Sequence, residues 1–240
     1  MNNNMDNSNE ILTYNYKFIF SNGVEREFNV KLDKETLDLV EPSPKSYPKW
    51  AELKNYKCLN CLLDDEKHQF CPVAVNIVDL IDFFKDSFSH EEVYVVVETD
   101  LRSYMKNISL QKGVSSLLGI YMSTCGCPIL EKLKPMVRFH LPFATPEETS
   151  YRAISMYLLA QYFKYKNGKK PDWNLNKLVK VYDEIQMVNK SFWKRLSHIK
   201  IKDASINALI ILDIFAKYIV FEIDEDKLSE IERLCNAHFD

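Results

Sequence analysis

Ile11-Leu-Thr-Tyr-Asn-Tyr-Lys-Phe-Ile-Phe20, Ser21-Asn-Gly23, Val24-Glu-Arg-Glu-Phe-Asn-Val-Lys-Leu32 carries two apolar runs on a period of two. Leu12, Tyr14, Tyr16, Phe18 and Phe20 alternate with Thr13, Asn15, Lys17 and Ile19; Val24, Phe28, Val30 and Leu32 alternate with Glu25, Glu27, Asn29 and Lys31. That period puts one face of each run in a core and the other in water, so the stretch predicts two strands. Both apolar sets fall on even numbers. Residues opposed across an antiparallel ladder share a face, so opposed numbers must add to an even sum. A two-residue Asn22-Gly23 loop sets Phe20 against Glu25 and breaks that rule. A three-residue loop with Gly23 left-handed sets Phe20 against Val24 and keeps it.

Upstream, Met1 to Glu10 is polar and Asn-rich, with neither a basic nor an apolar signal region. It predicts a disordered N-terminus, no secretory leader, and a cytoplasmic protein with reduced thiols. Downstream, three prolines between Glu41 and Trp50 predict an extended connector. Val75, Val78, Leu80, Ile81 and Phe84 suggest a helix running from Cys71-Pro72 to about Phe88. The continuous apolar run within Glu92–Glu98 reads as a strand buried on both faces, with Tyr104 to Ile108 pairing back on it. Ser109 caps a helix carrying Leu110, Val114, Leu117, Leu118 and Tyr121, and the alternation from Met136 to Leu141 reads as a further short strand.

The rest is helical. Thr145-Pro-Glu-Glu148 is a capping box with proline at the first helical position, and Ala153 to Phe163, apolar nearly all round, is expected at the centre of the core. Asn167-Gly168 ends that helix. Leu175, Leu178, Tyr182, Ile185, Asn189, Phe192 and Leu196 form one stripe of the next, and Asp203 and Asp224 are expected to start two more. The fold class is therefore α+β: a small, mainly antiparallel sheet, from the N-terminal hairpin plus central strands, packed on a helical C-terminal half. One domain is expected over residues 11–240, its sheet and cysteine-rich half 11–144 and its helical half 145–240.

At 240 residues the chain needs no disulfide staples, and six scattered cysteines do not resemble the framework of a small secreted domain. A net charge of −3 gives no steer toward nucleic acid. Ile206 to Ile223 approaches membrane-spanning length, but Asp213 and Lys217, spaced as a helical ion pair, favour a buried helix of a soluble core over a membrane segment.

Chemistry concentrates in Cys58-Leu-Asn-Cys61, His68-Gln-Phe-Cys71-Pro72 and Cys125-Gly-Cys127-Pro128. A Cys-x2-Cys pair puts two soft thiolates within reach of one ion. Each Cys-Pro step precedes helix-like sequence, where free backbone N–H groups favour a thiolate. Two ligand sets fit. Cys58, Cys61, His68 and Cys71 are local and zinc-like; Cys58, Cys61, Cys71 and Cys127, which use both Cys-Pro steps and are preferred, would tie the amino-terminal half to the downstream helices with zinc or an iron–sulfur cluster. Cys235 is excluded. Arg138 and His140, expected on one strand face, are secondary candidates for anion binding or, with Glu148, acid–base work, although Glu148 and Arg152 are already explained as cap and i,i+4 partner. Lysines 164, 166, 169 and 170, and a second group of Lys194, Arg195, Lys200 and Lys202, lie near opposite ends of a helix, as the dipole expects, so nucleic acid is not the expected partner. No phosphate loop, dinucleotide fingerprint or serine-nucleophile motif occurs.

Ser109-Leu-Gln-Lys-Gly-Val-Ser-Ser-Leu-Leu-Gly-Ile120, Gly126-Cys-Pro128, Pro135-Met-Val-Arg-Phe-His-Leu-Pro-Phe-Ala144 and Glu148-Thr-Ser-Tyr-Arg152 resemble an uncharacterised bacterial family, a domain of unknown function, over most of the chain. The resemblance implies no activity, cofactor or site. The residues themselves point to a cytoplasmic, non-enzymatic protein with a cysteine-ligated metal, structural zinc first, that acts by binding another protein. The alternative is an iron–sulfur or thiol-based redox sensor or enzyme.

Overall fold

The computed structural model describes residues 11–40, 46–224 and 227–239, so the N-terminus expected to be disordered and part of the proline-rich connector lie outside the described residues. β1 (Ile11–Phe20) and β2 (Glu25–Asp33) form the predicted hairpin, with Phe18 opposite Arg26 and Ile19 opposite Glu25. The Phe20 N–H donates to the Val24 carbonyl at 2.9 Å, and Gly23 has φ +83°, the left-handed turn that the even-sum rule requires. Tyr14, Tyr16, Phe18, Phe28, Val30 and Leu32 are buried, while Lys17 on the other face meets Glu25 at 2.6 Å.

β3 (Glu92–Glu98) pairs antiparallel with β1, and β4 (Ser103–Ser109) with β3, giving the order β2-β1-β3-β4. Contrary to expectation, β3 is buried on one face only. Val93, Val95 and Val97 are inside and Tyr94 is exposed, because this antiparallel sheet has one covered side. The helix after Cys71 is also interrupted: α1 (Pro72–Asn76) and α2 (Val78–Phe84) meet at Ile77, whose ψ of 7° leaves the helical range. α3 (Leu110–Thr124) crosses the sheet at Gly113, where a Cβ would stand 2.9 Å from Phe18 Cε1 and 3.1 Å from Val95 Cγ2. Only glycine lets the helix approach this closely.

The strand expected at Met136–Leu141 does not form. A 3₁₀ turn (Leu130–Leu133) leads into α4 (Lys134–Arg138), with Pro135 in its first turn. Distant side chains satisfy its last carbonyls: Tyr14 Oη donates to Val137 O at 2.6 Å, and Arg152 Nη2 donates to Met136 O and Phe139 O, both at 2.8 Å. A strand ladder would need those carbonyls.

α5 (Pro146–Lys166) opens with the full capping box, Thr145 Oγ1 accepting from Glu148 N–H and Glu148 from Thr145 N–H. It does not lie at the centre of the core. Tyr151, Leu159, Tyr162, Phe163 and Tyr165 are exposed, and burial is confined to Ser150, Ala153, Ile154 and Gln161. The centre belongs instead to α3, most of which is buried, and to α6 (Asn176–Ser197), whose predicted stripe is buried, while α7 (Ala204–Asp224) packs on α3, α5 and α6. Asp224 ends α7 rather than starting a helix, and the short α8 (Ser229–Leu234) follows. α7 is long and apolar enough to cross a membrane by length and composition, with 33% of its apolar window buried. Its Asp213–Lys217 ion pair forms at 2.5 Å, and Ile210, Ile214 and Phe221 remain exposed.

Candidate metal centre

The cysteine segment runs from the connector to α1 and is fixed at several points. The Cys61 N–H donates to the Cys58 carbonyl at 3.0 Å, closing the Cys-x2-Cys turn, and Asn60 Nδ2 donates to the Glu184 carbonyl of α6 at 2.9 Å. Cys71 is the N-cap of α1 with Pro72 as its first residue. Its sulfur makes no capping hydrogen bond, although the N–H groups of Ala74 and Val73 draw its thiol toward the thiolate. Cys127 does not repeat the device: it stands two residues before Ile129, the N-cap of the four-residue 3₁₀ turn, with the Glu131 N–H donating to its carbonyl at 2.9 Å and the N–H groups of Leu130 and Ile129 drawing its thiol toward the thiolate. Donors at those positions favour a thiolate over a thiol.

These segments converge. Cys58, Cys61, Cys71 and Cys127 line one pocket of about 20 Å³, floored by Leu53, Phe192 and the two prolines that follow Cys71 and Cys127. That volume suits one water-sized body. Burial pushes the Cys58 thiol up to about 12, with Cys71, Cys61 and Cys127 adding to it. Burial also raises Cys71 and Cys127, against the pull of their N–H groups and, for Cys71, of Arg195. The sulfurs share the pocket without forming a ready-made shell: among the described residues no three or more His, Cys, Asp or Glu side chains are disposed to hold an ion as they stand.

His68 is elsewhere. It is exposed, with Nδ1 3.1 Å from the Asp64 carbonyl, and does not reach the pocket. Cys125 is buried and donates its S–H to the Met122 carbonyl at 3.1 Å, outside the pocket lining. Cys235 caps the end of α8, also outside it.

The residue that pattern reading misplaces is Arg195. It is 1% exposed and lines the cysteine pocket. Nη1 donates to Trp50 O at 2.6 Å and Glu52 O at 3.0 Å, and Nη2 to Tyr56 O at 2.8 Å. Nε is buried without a hydrogen-bond partner, and no carboxylate pairs with the guanidinium among the described residues. Grouped with Lys194, Lys200 and Lys202, it looks like one more solvated cation at a helix end. Its place three residues after Phe192 and seven after Val188, inside the apolar arc, is the signal that marks it as buried.

Arg138 and His140 share no strand face, since Arg138 ends α4 and His140 follows in irregular chain. His140 Nε2 lies 2.5 Å from Tyr16 Oη, which lies 2.8 Å from Ser116 Oγ. Surrounded by protein and open only in part toward an internal cavity, His140 is driven down to about 3 by burial, with Arg152 adding to the effect. It is a neutral acceptor at pH 7. Tyr16, held protonated by burial, donates to it. The expected Glu148–Arg152 pair gives way to the cap and to the α4 carbonyls.

No curated protein and no solved structure matches the chain. One family's sequence profile matches residues 13–236, nearly all of the described fold, and the chain therefore belongs to the family described as a domain of unknown function, DUF6901.

Proposed function

We propose that the chain is a cytoplasmic, non-enzymatic binding protein in which one structural zinc ion on Cys58, Cys61, Cys71 and Cys127 staples the cysteine segment and the start of α1 to the loop that follows α3. The observation that carries this reading is Arg195, a buried guanidinium with no counter-ion among the described residues, beside four gathered cysteines. Three carbonyls and the Tyr56 and Phe192 rings solvate this charge without neutralising it, and a buried charge with no opposite charge beside it remains costly. Four thiols do not offset it, whereas four thiolates around one divalent ion carry two net negative charges. Soft thiolates select zinc over hard cations, and four protein sulfurs close the tetrahedral shell, which is the structural rather than the catalytic form of a zinc site.

A partner protein fits the outer face of α5. Tyr151, Leu159, Tyr162, Phe163 and Tyr165 are exposed there with nearby Trp173, an aromatic-rich surface of the kind enriched at protein interfaces. Metal analysis of protein purified without added metal, in air and anaerobically, tests the reading. One zinc per chain in both preparations is expected. Iron with sulfide that is lost in air would establish the redox alternative instead, and neither metal would leave four buried thiols packed as small hydrophobes.

A further inference from the structure

A second, larger cavity shares no lining residue with the cysteine pocket. It measures about 510 Å³ and opens between α3, α7 and the start of α5, within the ~300–1,000 Å³ range of small-molecule pockets. One part of its wall is apolar, including Leu212, Phe215 and Ile219 of α7 with Met122 of α3. Its charged residues are Lys106, Lys112 and Arg152, and no aspartate or glutamate lines it among the described residues, although the chain as a whole carries a net charge of −3. None of the three cations has a carboxylate ion-pair partner among the described residues.

Two further groups point to a ligand. Ser115 and Asn189 are 2% and 3% exposed, line the cavity, and have no side-chain hydrogen bond among the described residues. Neither is among the buried side-chain atoms left without a partner, so both offer polar groups to whatever fills the cavity they line. Lys106 stands on the same face of edge strand β4 as buried Ile108, and Lys112 lies in the first turn of α3, so both are exposed cations at the rim of an apolar space.

We infer that this cavity binds a small anionic amphiphile, with its apolar body against α7 and its carboxylate or phosphate head on the cationic wall of Lys106, Lys112 and Arg152. Apolar burial supplies most of the affinity, and the absence of acidic groups sets the sign of the head. The site is independent of the cysteine pocket.

The test is calorimetric titration of the full-length protein with dodecanoate, dodecyl phosphate, dodecanol and dodecyltrimethylammonium, each below its micelle concentration. Both anions, or one of them, should bind at one per chain and at least about tenfold more tightly than the alcohol, a difference of ~1.4 kcal/mol, and the cation should not compete. Which anion is tighter identifies the head as carboxylate or phosphate. Lys106→Glu/Lys112→Glu, two exposed changes that leave the fold intact, should remove the preference for the anions. Gly119→Leu should fill the space, because a Cβ there meets only Leu212 Cδ2, at 3.8 Å, and should abolish binding without lowering the melting temperature. Equal binding of alcohol and anions, unchanged binding in Gly119→Leu, or no binding of any probe would overturn the inference.

Discussion

Replacing Arg195 with Met removes the one buried cation beside the cysteine pocket while keeping its apolar stem. The carbonyls of Trp50, Glu52 and Tyr56 lose their donors. Leaving a buried acceptor unmade costs ~1–3 kcal/mol, so three of them put the loss at roughly 3–6 kcal/mol after partial relaxation. Relief of the uncompensated charge offsets part of this in metal-free protein. With metal bound the balance changes. At an effective dielectric of ~20, a unit charge ~6 Å from another contributes about 3 kcal/mol, and the proposed shell carries two net negative charges. The substitution should therefore cost at least ~1.5 kcal/mol more in loaded than in stripped protein, equivalent to about tenfold weaker metal binding. Urea unfolding with and without chelator, together with a competitive chelator titration, measures both quantities. Arg195→Lys, which keeps the charge and loses the fork, should reduce stability while retaining most of the metal affinity. Equal losses with and without metal would refute the pairing of Arg195 with the site.

Phe18→Asp should abolish the fold, whereas Lys17→Asp, at a partly exposed ion pair, should cost no more than ~1 kcal/mol in a thermal melt; the reverse order would refute the hairpin faces. Gly113→Ala should destabilise by ~1–3 kcal/mol, since the new methyl meets Phe18 and Val95, and a gain near the ~1 kcal/mol typical of an open helix would contradict the close approach. His140 gives a pH signature. Its folded value, about 3, lies below the ~6.5 of an unfolded chain, so its contribution is complete above pH 6.5. As pH falls from there toward 3, the unfolded chain takes up a proton that the folded chain refuses, and stability drops by up to ~5 kcal/mol. Urea unfolding between pH 7 and 4 should show a shallower slope in His140→Gln than in the parent, and identical slopes would refute the assignment.

The parts of the fold legible in the residues are those governed by local rules. Even-number parity decides the β1–β2 register, the Thr145–Glu148 box starts α5, and a 3.6-residue stripe marks the buried side of α6. The parts that mislead depend on partners far along the chain. Met136–Leu141 alternates as a strand would, yet Tyr14 and Arg152 take its carbonyls and leave α4. The apolar content of α5 suggests a central helix, but α3 and α6 already occupy that place, and periodicity alone does not rank apolar helices by depth. At the candidate site, spacing groups Cys58, Cys61 and Cys71, and the paired Cys-Pro steps point to Cys127. Arg195 is hidden by its lysine neighbours, and the larger cavity, assembled from residues of six elements and their loops, leaves no local motif at all.

The central claim, a four-sulfur zinc centre joining the cysteine segment to the loop after α3, is tested most directly by X-ray absorption at the zinc edge on protein purified without added metal. The account predicts one zinc per chain with about four sulfur neighbours at ~2.3 Å and no imidazole scattering. A shell dominated by nitrogen or oxygen, or a protein that folds fully with no bound metal, would contradict it.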